Sequence, residues 1–170
     1  MTTITKPMIT SFSKFKSSWE KDARKPENTI MYYLIAALNI EKDPTLGEAM
    51  MTVVVSKNDC QDDEGSPSGL KLGRSAKYFV GQFMKNKNIA RSYVGGTPQN
   101  GYTISRDKLT MTVTKKQDHG KGLKIFIDSG GKDMDTPVQL RQNNDGQWKL
   151  IEYSSICTGV RKTRQEEGDF

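Results

Sequence analysis

The chain is poor in the residues on which most enzyme mechanisms and metal sites depend. Histidine occurs once, at His119, and cysteine twice, at Cys60 and Cys157. Nucleophilic catalysis by Ser or Cys needs a positioned base, and zinc needs three or four His, Cys or carboxylate ligands at short spacing. His119 lies in Asp118-His119-Gly120-Lys121-Gly122, which reads as a hairpin tip, and the cysteines have no neighbouring ligands. Two isolated cysteines also exclude a disulfide-stapled scaffold and suit a reducing cytosol. Gly95-Gly96 and Gly130-Gly131 are isolated pairs, not a loop between a strand and a helix that could cradle phosphate. No spacing singles out a carboxylate pair for glycoside chemistry. The expectation is a protein with no catalytic residues, no metal and no cofactor. No apolar run approaches the roughly 18 residues of a membrane span, and residues 1–17 carry no hydrophobic signal segment. A cytoplasmic protein without membrane contact is therefore expected.

With 170 residues and 34% hydrophobic residues, there is chain enough for one domain over residues 1–170 with a modest core. Its first part, residues 10–88, has helical spacing. Phe12, Phe15 and Trp19 form a short stripe, and Pro26 opens a helix over about 27–41 with Ile30, Tyr33, Leu34, Ala37 and Leu38 on one face. Asp43-Pro44 restarts the chain, Thr45 and Glu48 have capping-box spacing, and Leu46, Ala49, Met50 and Val53 continue it. Val53-Val54-Val55 suits a strand equally well. Residues 56–69 are polar and predict an exposed, mobile loop; Asp59, Asp62, Asp63 and Glu64 do not follow the calcium-loop pattern. Leu72, Ala76, Phe79, Val80 and Phe83 predict a helix over about 73–86.

Across residues 102–158 the period changes to two. Leu109, Met111 and Val113 alternate with threonines, Leu123, Ile125 and Ile127 with Lys124, Phe126 and Asp128. Val138 and Leu140 lead into an Asp145-Gly146 turn, followed by alternation from Trp148 to Tyr153. The prediction is α+β: about four N-terminal helices packed on a C-terminal antiparallel sheet of about four strands, with both termini frayed.

Charge is unevenly distributed. The chain has a net charge of +6, and residues 86–124 hold Lys87, Arg91, Arg106, Lys108, Lys115, Lys116, Lys121 and Lys124 against Asp107 and Asp118. Such a segment steers an acidic partner, or is a solvated sheet face whose lysines discourage edge pairing. Nucleic acid is disfavoured as that partner, because the segment's aromatics are limited to Tyr93 and Tyr102 and no recognition-helix signature is present.

Four stretches carry a resemblance: Arg91-Ser92-Tyr93-Val94-Gly95-Gly96-Thr97-Pro98-Gln99-Asn100-Gly101-Tyr102, Ile125 through Asp133, Thr136-Pro137-Val138-Gln139-Leu140-Arg141, and Asp145-Gly146-Gln147-Trp148. Together they resemble a family of small bacterial proteins with an Arg-Ser-Tyr, Thr-Pro-x-Asn-x-Tyr and Pro-Val-x-Leu-Arg pattern. Val94 and Thr136 replace the Phe and Arg usual there. Members of that family resemble immunity proteins of Rhs-type polymorphic toxins. The resemblance implies a cognate toxin domain as partner, such as an ADP-ribosyltransferase, bound 1:1 and blocked by occlusion of its active cleft. Partner-binding residues are then expected among Arg91, Tyr93, Tyr102, Arg106, Lys116 and His119, since interfaces are anchored by aromatic and Arg side chains. Two alternatives stay open. The final hairpin also resembles that of nuclear-transport-factor-like ligand-binding modules, and an enzyme that reverses a toxin's modification would serve the same end.

Overall fold

The computed structural model describes residues 1–168. The chain runs β1 (Thr2–Lys6), α1 (Phe12–Asp22), α2 (Pro26–Asn39), α3 (Pro44–Val54), a hairpin of β2 (Cys60–Asp62) and β3 (Leu70–Leu72), α4 (Arg74–Lys85) and α5 (Asn88–Arg91). It then forms β4 (Leu109–His119), β5 (Gly122–Ile127), β6 (Thr136–Gln142), β7 (Trp148–Glu152) and a short α6 (Arg164–Gly168). The class is α+β, with six helices and a five-stranded antiparallel sheet in the order β1-β4-β5-β6-β7, beside the small β2-β3 sheet. Leu109, Met111, Val113, Ile125, Ile127, Val138, Leu140 and Leu150 point inward and join the buried helical residues in one core.

α2 is the centre of that core. It is buried all round, not along one face as predicted: Ile30, Met31, Leu34, Ile35 and Ala36 are fully enclosed between α1, α3 and the sheet. Its polar residues act as ties. Trp19 Nε1 donates to Thr29 Oγ1 at 3.1 Å, Thr29 Oγ1 donates to the Trp148 carbonyl at 2.7 Å, and Asn39 Nδ2 reaches the Ile9 carbonyl at 2.8 Å. α3 crosses α2 so closely that a Cβ on Gly47 would lie 2.5 Å from Ile40 Cγ1 and 2.8 Å from the Ala36 carbonyl oxygen.

Several expectations are corrected. The sheet has a fifth strand, because the N-terminal residues expected to fray pair with β4 from Thr2↔Val113 to Lys6↔Leu109. Thr and Ile favour that conformation, and the pairing satisfies backbone groups on β4. Of the C-terminal residues expected to fray, 169–170 lie outside the described residues and Gly168 ends α6. The capping box at Thr45 and Glu48 does not form: Asp43 caps α3 by accepting from the Leu46 N–H at 3.1 Å, and Glu48 pairs with Lys77 of α4. The polar run after Ser56 is largely exposed but ordered into a 3-10 turn and the β2-β3 hairpin, and a further helical turn, α5, follows α4. The valine run divides: Val54 ends α3, and Val55 forms a parallel bridge with Leu150 of β7.

Candidate interaction surface

The residues that carry the family resemblance converge, but inward. Tyr93 and Tyr102 are 2% and 0% exposed, so neither is available to a partner, correcting their assignment as binding anchors. The Tyr93 hydroxyl donates to the Ile156 carbonyl at 3.1 Å, lies 2.9 Å from Thr136 Oγ1 and accepts from Lys132 Nζ at 2.6 Å. Burial raises its pKa well above the ordinary phenol range. Lys132 is the member that the sequence did not single out. Its ammonium also donates to the Ser155 carbonyl at 2.9 Å and Thr158 Oγ1 at 2.7 Å, and burial lowers its pKa to about 8.

Tyr102 holds a left-handed backbone, φ 56°, which costs a bulky residue energy. Its buried ring and a hydrogen bond to the Arg161 carbonyl at 2.5 Å keep it there. The adjoining turn is built by Asn100, whose Oδ1 accepts from the N–H groups of Thr97 and Thr103. Gly130 lies against this turn, where a Cβ would come within 2.2 Å of the Gly96 carbonyl oxygen. These motif residues therefore lock the β5–β6 loop to the segment after α5.

The basic segment loses three of its cations to internal pairs. Arg91 binds Glu41 at 2.9 Å and donates to the Tyr102 carbonyl at 3.2 Å, while Arg106 approaches the same carboxylate at 3.8 Å. Lys116 pairs with Glu27, a buried acid in the first turn of α2. Its inward aim comes from a β-bulge. Val113 pairs with Ile127, but the next pairs are Lys115↔Phe126 and Lys116↔Ile125, so Thr114 is the extra residue and the strand's phase reverses. Arg91 and Lys116 thus tie elements together, although the Lys116 and Arg106 side chains stay 41% and 39% exposed, and His119 is exposed at the tip of the β4–β5 hairpin as its sequence implied.

What remains outward is the open face of the sheet. On the three central strands it carries Thr110, Thr112, Lys115, Gln117 and His119 from β4, Lys124 and Phe126 from β5, and Pro137, Gln139 and Arg141 from β6. None of these residues is acidic. Phe126 stands directly opposite Pro137 and, on its other side, Lys115. The Lys115 and Lys124 ammonium groups lie 5.6 and 5.4 Å from its ring centroid. At the margin, Glu152 of β7 is opposite Gln139 and accepts from the Ser154 N–H and hydroxyl. Phe126 was legible in the sequence as the outward member of the Ile125-Phe126-Ile127 alternation; the bulge that turns Lys115 toward it was not.

This arrangement is an apolar centre flanked by cations on a hydrogen-bonded support, with the exposed Asp128 and Asp135 beside Thr112 and Thr114 at its end. Elsewhere, a surface depression of about 530 Å³ lies between α4 and the end of β7, with Arg74, Tyr78 and Ile151 around a Tyr153 hydroxyl that donates to Asp59 at 2.8 Å. The chain matches the family described as a domain of unknown function (DUF6935) over residues 8–164. It belongs to that family. No curated protein and no solved structure matches it. The matched span of the DUF6935 domain takes in α1 to α5, all of the main sheet except β1, and the buried motif residues. Among its described residues no helix is long and apolar enough to cross a membrane.

Proposed function

We propose that this DUF6935 domain is an immunity protein: a binding protein that holds a cognate secreted toxin domain in a 1:1 complex and covers its active cleft. The observation that carries this reading is the open sheet face, with Phe126 and Pro137 at its centre and Lys115, Lys124 and Arg141 around them. An apolar anchor flanked by cations is how a protein interface combines affinity with electrostatic steering. Such a face calls for an acidic partner surface. The filled interior also supports surface binding over an internal ligand pocket. Between helices and sheet, Tyr33 packs edge-on against Phe83 and Tyr153 with ring centroids 6.1 and 5.3 Å away, and Phe79 closes on Tyr153 at 5.4 Å.

The test is co-expression with the toxin domain encoded by the neighbouring gene, scored for growth rescue and co-purification. Rescue with a stable complex is expected, and both should fail in the variant K115E/K124E/F126A. Rescue without a complex would overturn binding in favour of an enzyme that undoes the toxin's damage, and absence of rescue would overturn the immunity role.

A further inference from the structure

The two edges of the main sheet are treated differently. β7 is closed: the Trp148 N–H donates to the Ala23 carbonyl at 2.8 Å, the Leu150 carbonyl accepts from the Ser56 N–H at 2.8 Å, and Val55 bridges to Leu150. β1 is open. Among the described residues its backbone bonds only to β4, leaving the groups on its other side unpaired. Edge strands are normally guarded by prolines, bulges or exposed charges. β1 has no proline and no bulge, and its single charge, Lys6, is drawn aside to Asp22 at 2.9 Å and lies over the Tyr32 ring.

The strand is also self-complementary. Two copies of Thr2-Thr3-Ile4-Thr5-Lys6 paired antiparallel about Ile4 set Ile4 opposite Ile4, Thr3 opposite Thr5 and Thr2 opposite Lys6, so no like charges face one another. Thr3 and Thr5 are exposed on the outward face, where Thr5 Oγ1 already meets Thr110 Oγ1 at 3.2 Å. The cations of that face do not reach the seam, because Lys115 lies beyond Val113, where the β1 pairing ends, and Lys124 and Arg141 are on β5 and β6. We propose that the free edge of β1 pairs with β1 of a second copy of this chain, giving a two-fold dimer with one continuous ten-stranded sheet. Two-fold pairing within a sheet keeps both cationic faces on the same side, so the dimer presents two binding faces to one direction. The proposal is independent of what those faces bind.

Sedimentation velocity of the purified chain over a wide concentration range tests it, with two variants. T3K/T5K puts lysine opposite lysine at both outer pairs and is expected to weaken the dimer about tenfold. T3K/T5E puts opposite charges across the same pairs and is expected to restore or tighten it. Both positions are exposed, so the monomer's fold is retained, and amide exchange at residues 2–6 should slow with concentration in the wild type and in T3K/T5E. A wild type that stays monomeric throughout, or two variants that associate alike, would overturn the proposal.

Discussion

Tyr93→Phe separates an interface role from an interior one. The substitution keeps the ring and deletes a hydroxyl with three partners: the Ile156 carbonyl at 3.1 Å, Thr136 Oγ1 at 2.9 Å and the Lys132 ammonium at 2.6 Å. A neutral hydrogen bond contributes about 0.5–1.5 kcal/mol net, and a buried partner left unsatisfied adds its desolvation cost. Thr136 is 2% exposed and cannot turn to water, whereas Lys132 keeps Ser155 and Thr158 as acceptors. The expected loss is therefore about 2–3 kcal/mol, below the sum for three independent bonds. For a chain of this length that lowers Tm by about 5–10 °C. Tyr102→Phe removes one bond, to the Arg161 carbonyl, and should cost about 1 kcal/mol. Equilibrium unfolding in urea measures both, with the m-value unchanged. Partner binding by folded Y93F should equal that of the wild type. A Y93F protein as stable as the wild type would refute the interior network, and a stable one that no longer binds would put Tyr93 on the interface.

Other outcomes follow from the same geometry. Burial holds Lys132 near 8 in the fold against about 10.5 unfolded, so the unfolded chain binds more protons between those values and stability should rise with pH across that window. Tyr32, Tyr33, Tyr93 and Tyr153 are pushed upward by burial; above pH 10 the unfolded phenols lose protons that the folded ones keep, and stability should fall. Burial also raises the Cys60 and Cys157 thiols, and the unfolded phenols begin to ionise below 10, so urea midpoints from pH 7 to 11 should show a maximum between about 8 and 10, and a monotonic profile would count against it. Gly130→Ala forces a Cβ within 2.2 Å of the Gly96 carbonyl oxygen and should lower stability by about 1–3 kcal/mol, read by calorimetry. K115M and K116M should diverge: the first slows partner association and weakens its salt dependence with stability kept, while the second strips Glu27 of its cation and lowers the unfolding midpoint. Equal effects of the two on stability would show that the bulge does not divide them.

The division between α and β halves, the helix starts at Pro26 and Pro44 and the β4–β7 meander were all legible, because each rests on local rules of periodicity, proline placement and turn chemistry. The same local rules placed Phe126 opposite in phase to Ile125 and Ile127. What they did not carry is anything set by a partner distant in the chain. Thr2–Lys6 becomes a strand only because β4 lies beside it, more than a hundred residues on. Pairing alone shows that Lys115 and Lys116 face opposite ways, since a bulge at Thr114 leaves no periodic trace. Arg91, Tyr93 and Tyr102 stand close together in the sequence as candidates for a surface, and nothing local marks Lys132 as their partner. Tertiary packing buried the two phenols because enough hydrogen-bond partners converged on them from the β5–β6 loop and the C-terminal segment to offset the cost of leaving water.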